Sequence, residues 1–80
     1  MKTIHIRYFA ILREQRGSAE ESVETAARTP LELYSELSGV HGLGIAPSHL
    51  RVAINSEFGD WQTPLRDQDQ VVFIPPVAGG

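Results

Sequence analysis

Apolar and polar residues alternate with a period of two at the start of the chain, where Thr3-Ile4-His5-Ile6-Arg7-Tyr8-Phe9 puts Ile4, Ile6 and Tyr8 on one face and Thr3, His5, Arg7 and Phe9 on the other. That is the pattern of a half-buried strand. The same alternation returns in Leu50-Arg51-Val52-Ala53-Ile54-Asn55, with Leu50, Val52 and Ile54 inward, and more weakly in Ser22-Val23-Glu24-Thr25-Ala26, with Val23 and Thr25 on one face. Val71-Val72-Phe73-Ile74 is apolar throughout and bounded by a polar turn and by Pro75-Pro76, so it reads as a buried strand. Helical spacing appears twice. Ala10 to Arg16 contains good helix formers followed by Gly17, which predicts a short helical turn with a left-handed cap. Thr29-Pro30-Leu31-Glu32 combines an N-cap residue, proline at the first helical position and a capping-box glutamate, and Leu33, Tyr34 and Leu37 then form a stripe that can pack on a sheet. Gly39 is the expected stop, with 39–44 a flexible connection. A short strand is expected within Phe58–Trp61, and 64–70 reads as a polar turn.

The resulting order is strand, helical turn, strand, helix, strand, short strand, strand. It fits an α+β fold in which one main helix packs across a mixed sheet of about five strands. Eighty residues are enough for a single domain. The expected division is a body over residues 1–75 and a C-terminal tail over 76–80.

Charge and composition remove several functions. A net charge of −3 lacks the basic footprint of a nucleic-acid binder. No apolar run approaches the roughly 20 residues that cross a bilayer, and the start lacks a signal peptide's apolar stretch, so a cytoplasmic protein is expected. With no cysteine there is no disulfide, thiolate metal site or thiol nucleophile. His5, His41 and His49 show no metal-ligand spacing and are expected on the surface. Asp67-Gln68-Asp69 reads as a turn, because it lacks the glycine and distal glutamate of a calcium loop. Gly39 to Gly44 follows a helix, where a dinucleotide fingerprint must follow a strand. Trp61 is expected to be packed or half-packed. No internal catalytic constellation emerges.

The chemistry concentrates instead at the C-terminus. Pro75 lacks a backbone donor and Pro76 favours an extended chain, so the strand's ladder should stop there and the backbone leave the body stiffly. Val77, Ala78, Gly79 and Gly80 are small. The five residues from Pro76 reach at most about 17 Å, suited to entering another protein's site.

V-A-I-N at 52–55, P-L-R-D-Q-D-Q-V-V-F at 64–73, P-P-V-A-G-G at 75–80 and F-A-I-L-R-E at 9–14 together resemble the small subunit of molybdopterin synthase, the MoaD family. Gln68 departs from that pattern, which often has glycine between the two aspartates. The resemblance implies a ubiquitin-like β-grasp with the first and last strands parallel and adjacent. It also implies a sulfur-carrier role in molybdenum cofactor biosynthesis: Gly80 is adenylated, becomes a thiocarboxylate, and gives its sulfur to a pterin precursor. The chain on its own is then a non-catalytic subunit that binds no cofactor, ATP being used by an adenylating partner of the ubiquitin-activating type (MoeB-like). The second implied partner is the large synthase subunit (MoaE-like). Gly79, without a β-carbon, suits the same narrow sites. Strand parity leaves Phe9, Val72 and Ile74 on the face away from the helix, and the family match places Phe58 nearby. With Pro75, Pro76, Val77 and Ala78 these are the expected partner-binding residues. Two alternatives share the adenylation chemistry: a modifier conjugated to lysines, and a sulfur carrier for thiamine or a similar cofactor, although such carriers are usually shorter and lack the F-x-P-P-V run.

Overall fold

The computed structural model describes residues 1–75, the side chains of Ala10 and Ile11 excepted. Five strands, β1 (Lys2–Tyr8), β2 (Glu20–Thr25), β3 (Arg51–Ile54), β4 (Glu57–Gly59) and β5 (Gln70–Ile74), form one sheet in the order β2-β1-β5-β3-β4. β1 and β5 pair in parallel, Ile6 opposite Val71 and Tyr8 opposite Phe73. The other ladders, β1 with β2 and β5 with β3 with β4, are antiparallel. This is the β-grasp arrangement, with the first and last strands side by side at its centre.

The expected alternation holds. Ile4, Ile6, Tyr8, Val52, Val71 and Phe73 are buried on the face covered by the main helix, α2 (Pro30–His41), whose Leu33, Tyr34 and Leu37 are buried against them. Phe73 is the hub. Its ring lies 5.1 Å from Tyr34 edge-on, 5.8 Å from Trp61 in a stack and 6.5 Å from Tyr8, geometries that aromatic quadrupoles favour. Trp61 is therefore the half-packed ring its sequence context predicts.

At the head of α2, Thr29 Oγ1 accepts from the Glu32 N–H (3.3 Å), and Glu32 Oε1 reaches back to the N–H of Arg28 (3.0 Å). Thr29 thus satisfies an N–H that the helix leaves unpaired, and Glu32 ties down the residue ahead of the cap. The short helix α1 (Ala10–Arg16) ends at Gly17 with φ 81°, as expected. The turn before β5 is tied to the start of β1. Thr3 N–H donates to Asp67 Oδ1 and Gln68 N–H to Thr3 O, each 2.7 Å, while the buried Asp69 accepts from Asn55 Nδ2 and the Arg66 N–H. Gln68 has φ 71°, the conformation for which glycine is the natural occupant.

Several boundaries differ from the sequence reading. β2 begins at Glu20 and ends at Thr25, because antiparallel pairing with β1 recruits Glu20 and Glu21 opposite Arg7 and Ile6. β4 covers Glu57–Gly59 and stops before Trp61, which turns inward. Gly39 does not end α2. Tertiary packing of Leu37 carries the helix through it to His41, and Gly42, at φ 67°, is the cap, its N–H bonded to Ser38 O. Residues 39–41, expected in a flexible connection, are helical. A methyl group at Gly39 meets nothing within 4 Å. Gly39→Ala is therefore expected to raise unfolding free energy by about 0.5–1 kcal/mol, and Gly42→Ala, forced to positive φ, to lower it by about 1 kcal/mol. Urea denaturation of the two variants reads these opposite signs directly.

Candidate functional site

The face of the sheet opposite α2 is where four of the predicted site residues lie, Phe9, Phe58, Val72 and Ile74. Register sets them in rows across the strands: Glu20, Arg7, Val72, Ala53 and Phe58 form one row, and Ile74 stands opposite Arg51 in the next. Val72 and Ile74 are half-buried, while Phe58 is 70% and Phe9 44% exposed. Phe9 follows Tyr8 with extended backbone (φ −122°, ψ 154°), so it continues the alternation of β1 and points away from the core. It comes one step beyond the Tyr8–Phe73 pair, as does Ile74. Phe9 and Phe58 belong to the ends of this surface, three strand spacings or about 14 Å apart across the sheet and one row apart along it, with Val72, Ile74 and Ala53 between them.

Pro75 is buried, which makes it the point where the chain is held before it leaves the sheet. Pro76, Val77, Ala78, Gly79 and Gly80 lie outside the described residues. Among the described residues no group of three His, Cys, Asp or Glu side chains could hold a metal ion, and no helix is long and apolar enough to cross a membrane.

Two features escaped the sequence reading. The first is Arg51 with Ala53, which face outward opposite Leu50 and Val52. Strand parity was the available signal, but only the inward set was drawn from it. Arg51 lies over the Phe58 ring, its guanidinium carbon 5.8 Å from the centroid. The second is a polar knot behind Phe9. Tyr8 Oη donates to Glu21 Oε2 (2.5 Å), Arg16 donates to both oxygens of Glu21 (2.9 and 3.1 Å), and His41 Nε2 lies 3.3 Å from Glu21 Oε2. It joins β1, α1, β2 and the end of α2 at one carboxylate. Its signal was hidden because Glu21 lay outside the expected strand. The histidines also differ from a uniform surface expectation. His49 is exposed, whereas His41 enters this knot and His5 is held between Ser22 Oγ (2.8 Å) and Gln68 Oε1 (2.9 Å).

The molecule thus presents a β-grasp body with a mixed aromatic and aliphatic face at the root of a small-residue C-terminal segment. Residues 6–80 match the ThiS family. The molybdopterin synthase sulfur carrier subunit of Escherichia coli K12 is 32% identical over 96% of this chain and 99% of its own length. The chain therefore belongs to the ThiS family of sulfur carriers, which includes the small subunit of molybdopterin synthase. Among solved structures, SAMP1 of Haloferax volcanii superposes with a TM-score of 0.81 at 25% identity, covering 98% of this chain and 99% of that one. Subunit 1 in the complex of molybdopterin-converting factor subunits 1 and 2 from Helicobacter pylori is similar at a TM-score of 0.69 and 26% identity, covering 98% and 99%.

The knot behind Phe9 makes stability depend on pH at both extremes. Hydrogen bonding from Arg16 holds the Glu21 carboxyl below its usual range, and burial, then the hydrogen bond to Glu21, pushes the Tyr8 phenol up. The contribution of Glu21 is present above its unfolded value of about 4.3 and is lost as pH falls through the lower folded value. That of Tyr8 is present below about pH 10 and is lost as pH rises towards the raised folded value. Urea unfolding across pH should show a shallower acid limb in Glu21→Gln and a shallower alkaline limb in Tyr8→Phe. A parent-like slope in either variant refutes its assignment.

Proposed function

We propose that this protein is the sulfur-carrier subunit of a molybdopterin synthase and that Gly80 is its working residue. The observation that carries the reading is the full-length likeness to the Escherichia coli carrier subunit. It agrees with the placement of an apolar face at the base of the Pro-Pro-Val-Ala-Gly-Gly end. A carboxylate is a poor acyl donor because oxide is a poor leaving group. An adenylating partner joins the Gly80 carboxylate to the AMP portion of ATP and releases pyrophosphate. A persulfide on the sulfur donor then displaces AMP to give an acyl disulfide, and a second thiol of the donor attacks the donor-side sulfur, breaking the S–S bond to release the Gly80 thiocarboxylate and leave a disulfide on the donor. The large synthase subunit holds the pterin precursor that receives this sulfur. Gly79 and Gly80 let two different sites close around one carbonyl, and the catalytic groups belong to the partners, with ATP bound there and sulfur carried covalently here.

The outer face holds the body while the tail reaches in. Phe9, Phe58, Val72 and Ile74 supply the apolar contact, and both partners compete for it. The subunit pair from Helicobacter pylori supports docking of a carrier of this shape on a second subunit. A second reading, conjugation to other proteins, is favoured by the likeness to SAMP1, a small archaeal modifier. Intact mass of the native protein separates the two: a thiocarboxylate adds about 16 Da, the difference between sulfur and oxygen, whereas conjugation yields protein-sized adducts.

Deleting Gly80 should abolish sulfur transfer and leave the unfolding midpoint nearly unchanged, since the reacting carbonyl must sit at a fixed reach from the body. Restored synthase activity with the truncated chain refutes this. Replacing Phe9 or Ile74 by aspartate should weaken binding to both partners by about 2 kcal/mol or more, with little loss of stability. Calorimetric titration alongside thermal unfolding checks it, and unchanged affinity with a destabilised fold would reassign these side chains to the core.

A further inference from the structure

The outer face carries two arginines in different electrostatic states. Arg7 is neutralised within the chain, its Nη2 2.7 Å and its Nε 3.1 Å from Glu20 Oε1. Arg51 makes no ion pair among the described residues, and the Phe58 ring is its recorded partner. Asp60, which lines the same shallow hollow beside Arg51 and Phe58, is committed to its own turn: its Oδ1 accepts from the Gln62 N–H at 2.9 Å and its N–H donates to Thr63 Oγ1.

Position makes this unpaired charge consequential. The Cα of Arg51 is opposite that of Ile74, and its guanidinium leans over Phe58. Any surface that covers both Ile74 and Phe58 must take the guanidinium out of water with them. A cation desolvated without a counter-charge opposes binding more strongly than a few apolar contacts favour it. A planar guanidinium already oriented by a ring is matched by a carboxylate, which accepts two parallel N–H bonds. Main-chain carbonyls would leave the net charge buried. Resting on the docking role assigned above to this face, we propose that the partner presents an aspartate or glutamate to Arg51 within its apolar contact surface, and that this pair discriminates between partners. The apolar residues hold the two bodies together without distinguishing one apolar surface from another.

The test is titration of Arg51→Lys, Arg51→Gln and Arg51→Glu against the large synthase subunit and the adenylating protein, with Phe58→Ala as a reference for the face and Arg28→Glu, an exposed charge ahead of α2, as a control. Arg51→Glu is expected to weaken binding about tenfold or more to at least one partner, Arg51→Gln less, and Arg51→Lys least, because lysine keeps the charge but loses the fork. Reversing the facing carboxylate of that partner to arginine should restore binding of Arg51→Glu but not of Phe58→Ala. Affinities of all Arg51 variants within about twofold of the parent, with Phe58→Ala weakened, overturn the ion pair and leave the docking role standing. Unchanged binding by Phe58→Ala as well removes the docking role itself. Thermal unfolding of each variant separates lost contact from lost fold.

Discussion

The parallel ladder between β1 and β5 is the constraint from which the rest of the molecule follows. It joins residues more than sixty positions apart, so its loop-closure entropy must be met by contacts that form together with it. Phe73 supplies them: on one ring converge Tyr8 from β1, Tyr34 from α2 and Trp61 from the loop after β4. The same alternation that sends Val71 and Phe73 into this core turns Val72 and Ile74 out. The core and the proposed docking face are thus two sides of one five-residue strand, and neither can be shifted in register without exchanging them.

Much of this could be read before any coordinates, for physical reasons that also explain the failures. Period-two alternation is imposed by the backbone, so the faces of β1, β3 and β5 were legible residue by residue. The head of α2 was legible because proline and a capping threonine act locally. Gly39 misled because its helical cost is below about 1 kcal/mol, and burial of Leu37 outweighs it; the true cap is set by backbone geometry at Gly42. The start of β2 was missed because Glu20 and Glu21 carry no strand propensity. They are in the sheet because Arg7, Arg16 and Tyr8 give their carboxylates partners.

At the site, strand parity tells which residues of one strand share a face, but not how the charged ones among them are paired. A sequence shows that Arg7 and Arg51 share a face with Val72. It does not show that one guanidinium is matched by Glu20 while the other lies over Phe58, because that depends on cross-strand register. The polar knot at Glu21 is likewise a tertiary object, assembled from four elements. It fixes α1, and with it the chain on either side of Phe9, at a place where the short helix alone would be marginal.

The parallel sense of β1 and β5 has a mechanical consequence. Force drawn along the chain beyond Ile74 pulls β5 lengthwise past β1, so the hydrogen bonds between them bear the load together in shear. A ladder pulled from one end would open bond by bond, like a zip. The buried Pro75 and the interlocked rings around Phe73 resist the same sliding. A protein that grips the end of this chain therefore loads that central ladder in shear, every bond at once.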